Sequence, residues 1–153
     1  MQLVDALGDH IGRDAAFRSL LALGMPAAPE VRAGLGDGRW EVRRLCAAWL
    51  WRFQHRAGFE ALVPLLRDRH SKVRAAAVVG VGHAGAVAES HEIVPLLLER
   101  VFQDESLRVR RLALLLLGWV HADPSLRELL AELERTETDS KLRVYARLGR
   151  ARC

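Results

Sequence analysis

Four segments of this 153-residue chain align without gaps: "DGRWEVRRLCA" (37–47), "DRHSKVRAAAV" (68–78), "DESLRVRRLAL" (104–114) and "ETDSKLRVYAR" (137–147). Each places an acid first (Asp37, Asp68, Asp104, Glu137) and an apolar residue five positions on (Val42, Val73, Val109, Leu142). An arginine follows at once (Arg43, Arg74, Arg110, Arg143), then a small residue three further along (Cys46, Ala77, Ala113, Ala146). Successive units are 31, 36 and 33 residues apart. A period of roughly 20 to 50 residues constrains the fold strongly, because one unit cannot bury its apolar face alone and neighbours must stack.

The units read as helix pairs. Before each acid lies a short amphipathic segment ("APEVRAGL", "FEALVPLL", "EIVPLLLERVF", "SLRELLAELE"), and after it a longer one whose apolar residues recur at three and four positions. Helix starts are expected near Asp37, Ser71, Ser106 and Ser140 in the second helices, at Ser90 in one first helix, and at Asp123 with Pro124 as N-cap and N1. The segment "RDAAFRSLLALG" (13–24) reads as the second helix of a degenerate first pair. About five pairs result, at approximately 2–24, 26–55, 58–83, 90–121 and 124–151, in a single domain over 1–153. Pro29, Pro64 and Pro95 stand eight, four and nine residues before their acids, which predicts an irregular first helix around Pro95.

The D-x-x-x-x-V-R turn with its small residue resembles the HEAT repeat, of the short bacterial type also seen in phycobilin lyases. The likeness runs from about residue 13 onward, strict in three units and relaxed to Glu137, Leu142 and Arg143 in the fourth. It implies an all-α fold, a right-handed α-solenoid of about five HEAT-like pairs with the second helices lining the concave surface. It also implies a structural ladder between neighbouring units, built from Asp37, Asp68, Asp104 and Glu137 with Arg43, Arg74, Arg110 and Arg143.

One motif points elsewhere. In "VVGVGHAGAVA" (78–88), Gly80, Gly82 and Gly85 form G-x-G-x-x-G, a dinucleotide signature when a strand precedes it and a helix opens at the last glycine. The repeat register overrides it, since Gly80 falls where Trp49 and Leu116 fall, and another helix pair follows in place of a βαβ unit. The glycines then end a helix and make room for close packing, and the middle of the concave face is expected to be recessed, open to a partner's side chain. His83, Glu89, His91 and Glu92 make a candidate cation cluster that reads better as a solvated connection. No catalytic triad, metal or cofactor site is indicated.

Charge and cysteines narrow the setting. Arginines number 21 and lysines two against 19 acids, giving +4, which permits an acidic partner without requiring one. Cys46 and Cys153 stand far apart without C-x-x-C spacing, and "MQLVDALGDH" has no signal-peptide pattern, so the expected location is the cytoplasm. The longest apolar run, Leu112–Val120, is about half of the ~18 residues a membrane span needs, so no membrane association is expected.

Projecting the second helices at 100° per residue gives the sharpest functional signal. Counted from the Val42 column, position six lies on the face opposite the core, yet it holds Ala48, Val79, Leu115 and Leu148. The adjacent position five holds Ala47, Val78, Leu114 and Arg147, and Trp51 and Trp119 lie at positions nine and ten. An apolar concave strip is expected, rimmed by Arg44, Arg52, Arg111, Arg147 and Arg152, and such strips mark interaction surfaces. The expected function is a non-enzymatic scaffold that binds a protein or peptide, with a homodimer through the strip fitting equally. The HEAT resemblance adds the alternative of a tetrapyrrole (bilin) lyase or chromophore-handling protein, and the arginines that of a nucleic-acid backbone binder. The basic last segment, "KLRVYARLGRARC", sets Arg150 at a core position and reads as a terminal cap.

Overall fold

The computed structural model describes residues 3–53, 56–84, 88–120 and 124–151; Gly85, Asp123 and Arg152 lie outside them. Ten α-helices occur there: α1 (Leu3–Ala6), α2 (Arg13–Leu23), α3 (Ala28–Gly34), α4 (Trp40–Arg52), α5 (Arg56–Leu62), α6 (Ser71–Gly82), α7 (Ser90–Gln103), α8 (Leu107–Leu117), α9 (Pro124–Thr136) and α10 (Ser140–Arg150). Short 3-10 turns, Met25–Ala27 and Val63–Arg67, precede α3 and extend α5.

The repeat acids act one step earlier than expected. In all four turns the carboxylate accepts the backbone N–H two residues on: Asp37 from Arg39, Asp68 from His70 and Asp104 from Ser106, each at 2.8 Å, and Glu137 from Asp139 at 3.0 Å. Arg39, His70, Ser106 and Asp139 are the N-caps, all in extended conformation, so the acid fixes the turn ahead of the cap. Ser71 and Ser140 are therefore first helical residues and not caps. Asp139 caps α10 by accepting from the N–H groups of Lys141 and Leu142, both at 2.9 Å. At α7 the cap is Glu89, one residue before Ser90, in a reciprocal capping box with Glu92.

The prolines also redistribute the irregularity. Pro64 turns the end of α5 into a 3-10 segment and Pro29 sits in the first turn of the short α3. The helix around Pro95, expected to be irregular, is continuous over 14 residues. Near a helix start, the missing N–H removes a single intrahelical bond.

Two layers result. Helices α4, α6, α8 and α10 pack side by side, each on the next, and α3, α7 and α9 lie against α4, α8 and α10 from the other side. The outer helices touch one another far less, so the layer curves toward the inner row. The apolar column Val42, Val73, Val109 and Leu142 and the small column Cys46, Ala77, Ala113 and Ala146 are fully buried between the layers. Small side chains let the layers approach closely, and a Cβ on Gly34 of α3 would stand only 2.5 Å from the Cys46 sulfur. Burial pushes the Cys46 thiol up to about 12, so it packs as an inert apolar group. Trp49, also fully buried, donates from Nε1 to the Leu20 carbonyl at 2.9 Å and ties α4 to α2.

Positions five and eight are apolar in α4, α6 and α8. They are Ala47 and Leu50, Val78 and Val81, and Leu114 and Leu117, all buried. In α10 they become Arg147 and Arg150, both bound to Glu134, at 2.7 and 2.9 Å. That face of α10 is charged where its counterparts are apolar.

Candidate interaction surface

The turn residues form ion pairs that run forward along the chain. Arg43 grips both carboxylate oxygens of Asp68 (2.7 and 2.9 Å), Arg74 grips both of Asp104 (2.8 and 2.9 Å), and Arg110 binds Glu137 at 3.0 Å. Arg43 and Arg74 also donate to the carbonyl of their own turn's acid, Asp37 and Asp68, at 2.8 and 3.0 Å. Each such arginine clamps its own turn to the next. Burial works against the Asp68 carboxylate, but Arg43 and the His70 N–H more than offset it and leave its pKa below the usual value.

Six of the eight expected ladder residues meet in this way. Asp37 is instead held by Arg39 of its own turn, at 2.7 and 2.9 Å, and that hydrogen-bonded pair brings its pKa down to about 2. Arg143 is exposed and meets no carboxylate among the described residues, which contain no following turn to supply one.

Across the concave face the inner helices present residues in rows. Position two gives Arg44, Ala75, Arg111 and Val144; position six gives Ala48, Val79, Leu115 and Leu148; positions nine and ten give Trp51, Arg52, His83 and Trp119. Ala48, Trp51, Val79 and Leu115 are half-buried, whereas Trp119 and Leu148 are 59% and 44% exposed. Arg44 and Arg111 are half-buried, and Arg52 and Arg147 are exposed. The aliphatic row therefore crosses four helices, with arginines on both sides.

The recess expected at the glycines is filled from within the chain. Gly80 and Gly82 are buried inside α6; a Cβ on Gly80 would stand 2.5 Å from a Leu62 methyl and 3.0 Å from the Trp51 Cβ, and one on Gly82 would stand 2.7 Å from the Leu116 Cβ. Close helix approach, and not a partner's side chain, uses the missing side chains. Trp51 consequently lies partly inside the fold, its ring tilted against that of His83 at 5.5 Å. The candidate cation cluster is likewise engaged internally: Glu92 takes two bonds from Arg56, at 2.6 and 2.9 Å, and its pKa falls to about 2 through that pairing.

Arg108 and Val144 also belong to this face and were absent from the sequence expectation. Arg108 precedes the Val109 column by one residue and so projects to the same stripe of α8 as Arg111, Leu115 and Trp119. The signal was present in the helical spacing, one position before the projection began.

Among the described residues no helix is long and apolar enough to cross a membrane, and no three His, Cys, Asp or Glu residues gather in a group that could hold a metal ion. Comparison with the curated proteins gave no match. Among solved structures, the chain is similar to a chain in the structure of the complex of CpcE and CpcF of phycocyanin lyase from Nostoc sp. PCC7120. The identity is 20%, the TM-score 0.77, and the alignment covers 96% of this chain and 95% of that one. Residues 28–90 match the family model for HEAT repeats and contain the first two turns. Residues 28–90 thus carry HEAT repeats, and the same turn and forward ion pair continue beyond that segment within one all-α solenoid fold.

Proposed function

We propose that this protein is a non-enzymatic interaction scaffold that binds a protein or peptide segment on its concave face. The observation that carries the reading is the row Ala48, Val79, Leu115 and Leu148 on the four inner helices, half-buried at the first three and exposed at Leu148, with exposed Trp119 four residues beyond Leu115. A helix face directed at water is normally polar, and a contiguous apolar strip on a folded chain is the usual mark of a binding surface. The cytoplasm is the proposed setting.

The test is Leu115→Asp, alone and with Trp119→Ala, in pull-downs from the source cells and in sedimentation of the purified chain. Loss of a co-isolated partner, or dissociation of a self-assembled species, supports the reading; unchanged association by both variants overturns it. A second reading, chromophore handling, is favoured by the likeness to a chain from a phycocyanin lyase complex. Visible absorption after incubation with free bilin, retained through gel filtration, separates it from the first.

A further inference from the structure

Among the described residues, about half of the arginines are matched by a carboxylate. Arg43, Arg56, Arg67, Arg74, Arg110 and Arg147 each hold a carboxylate at hydrogen-bond distance. Exposed Arg18, Arg32, Arg52, Arg69, Arg127 and Arg143 have no carboxylate at ion-pair distance among the described residues, and a further set around α4 and α8 differs from them in being partly buried. Arg44, half-buried, has no carboxylate within ion-pair range among the described residues, and neither does Arg108. Arg111 reaches Asp139 only at 3.8 Å and leaves its buried Nε without a hydrogen-bond partner. Arg13, at the start of α2, donates to the Leu7 carbonyl at 2.9 Å and has no carboxylate within ion-pair range among the described residues. Burial first, and then the positive charges of Arg13 and Arg108, lower the pKa of Arg44, with Glu41 the one opposing charge. Arg13, Arg44 and Arg111 are half-buried and Arg108 is exposed; like charges gathered where some are partly desolvated cost stability, so a fold selected for stability alone would not collect them.

The surroundings define what fits. Between Arg44 on α4 and Arg111 on α8, the intervening α6 carries only small side chains, buried Ala75 and half-buried Ala76, so no bulky residue separates the two arginines. Four residues along each helix, roughly 6 Å, lies the aliphatic row. A ligand that satisfies both must carry carboxylates beside an apolar stripe at about that separation, which an amphipathic helix provides at i, i+3 and i+4. Four helices at roughly 8–10 Å spacing give a surface about 30 Å long, the length of a helix of about 20 residues. A nucleic-acid backbone would instead want cations continued along its path, and here the neighbouring row is Ala48, Val79 and Leu115.

We propose that Arg13, Arg44, Arg108 and Arg111 form a carboxylate-binding site that selects an acidic amphipathic helix of a partner protein, laid across the inner helices with its apolar stripe on Val79 and Leu115. This rests on the reading of the concave face as a protein-binding surface and adds the chemistry of the partner.

The experiment uses a fluorescein-labelled helical peptide with a Leu stripe flanked by a Glu stripe, a second peptide with every Glu replaced by Gln, and a labelled single-stranded oligonucleotide. Anisotropy is measured against wild type, Arg44→Met/Arg108→Met and Leu115→Asp. Wild type is expected to bind the Glu peptide about tenfold or more tightly than the Gln peptide, as charge-assisted bonds to two arginines would give. Arg44→Met/Arg108→Met should erase that preference while keeping its affinity for the Gln peptide. Leu115→Asp should weaken both. Equal binding of the two peptides by wild type, no binding of either, a preference that survives in Arg44→Met/Arg108→Met, or tighter binding of the oligonucleotide than of the Glu peptide each overturns the carboxylate site. Undiminished binding of both peptides by Leu115→Asp overturns the concave-face reading instead. Thermal unfolding without peptide is a second check: Arg44→Met/Arg108→Met should melt above wild type at low salt, with the gain shrinking as salt is added. A lower melting temperature would assign these arginines to the fold and overturn the proposal.

Discussion

Arg74→Met isolates one rung of the ladder. Methionine keeps most of the apolar stem and removes a guanidinium that makes two bonds to Asp104 (2.8 and 2.9 Å), one to the Asp68 carbonyl (3.0 Å) and one to Glu105 (3.1 Å). Asp104 has no exposed side-chain surface, and its nearest remaining cation is Arg100 at 3.7 Å. Removing one partner of a buried pair costs about 3–5 kcal/mol, and Arg100 places this case near the lower end. For a chain of this length, 1 kcal/mol corresponds to about 2–4 °C, so a loss of ~3 kcal/mol lowers the melting temperature by roughly 10 °C. The same change at Arg110, whose pair with Glu137 is 28% and 16% exposed, should cost about 1 kcal/mol. At exposed Arg143 the expected loss is about 0.5 kcal/mol or less. Urea unfolding followed by far-UV circular dichroism ranks the three. Adding Asp104→Asn to Arg74→Met should recover part of the loss, because the amide oxygen still accepts the Ser106 N–H (2.8 Å in the parent) while the stranded charge is gone. Equal losses at positions 74, 110 and 143, or a double variant no more stable than Arg74→Met, would refute the claim that burial of the rung sets its strength.

Gly80→Ala should destabilise by about 1–3 kcal/mol, since its Cβ would stand 2.5 Å from Leu62 and 3.0 Å from the Trp51 Cβ; Gly38→Ala, with nothing within 4 Å, should stay within about 0.5 kcal/mol in the same denaturation assay. Trp49→Phe should cost about 1–3 kcal/mol, because it removes the 2.9 Å bond to the Leu20 carbonyl and leaves a smaller ring in a fully buried site; thermal melts test it. Stability should fall on acidification. Asp37 and Glu92 are held near 2 against ordinary values of 3.8 and 4.5, and Asp68 is also lowered, so their contribution is complete above those ordinary values and lost as pH falls toward 2. Asp68→Asn should flatten part of that slope, and an unfolding free energy constant between about pH 5 and pH 2 would contradict the pairing.

The repeat made the solenoid legible because stacking demands the same residue types at the same spacing in every unit. Val42, Cys46 and their counterparts could be assigned to the interior before any coordinates were known. The direction of the rungs was not visible in the same way: an acid six residues before each arginine suits pairing within a turn as well as between turns, and three-dimensional packing decides it. The glycines misled for a related reason. Removing two side chains from one helix predicts a hollow only if the neighbours hold still, whereas close packing draws Leu62, Trp51 and Leu116 into the space. Arg44 and Arg111 were recognisable as surplus charge, but their grouping with Arg13 and Arg108 depends on which helices lie together, and α2 belongs to no clear repeat unit.

The two edges of the inner row are joined by different materials. At the edge where these helices begin, bidentate ion pairs of 2.7–2.9 Å hold α4 to the next turn and α6 to the one after. At the opposite edge lie Gly80, Gly82, Gly118 and Gly149, where the helices approach closely through backbone and aliphatic contacts. Directional charged bonds stretch little, while dispersion contacts slide at small cost. The array is thus a fan pinned at its rivet, with blades that spread at the free end. Its ion-paired end keeps a fixed gauge and its glycine-lined end gives more easily; on the proposed reading, a bound segment would be measured by charge at one margin and accommodated by shape at the other.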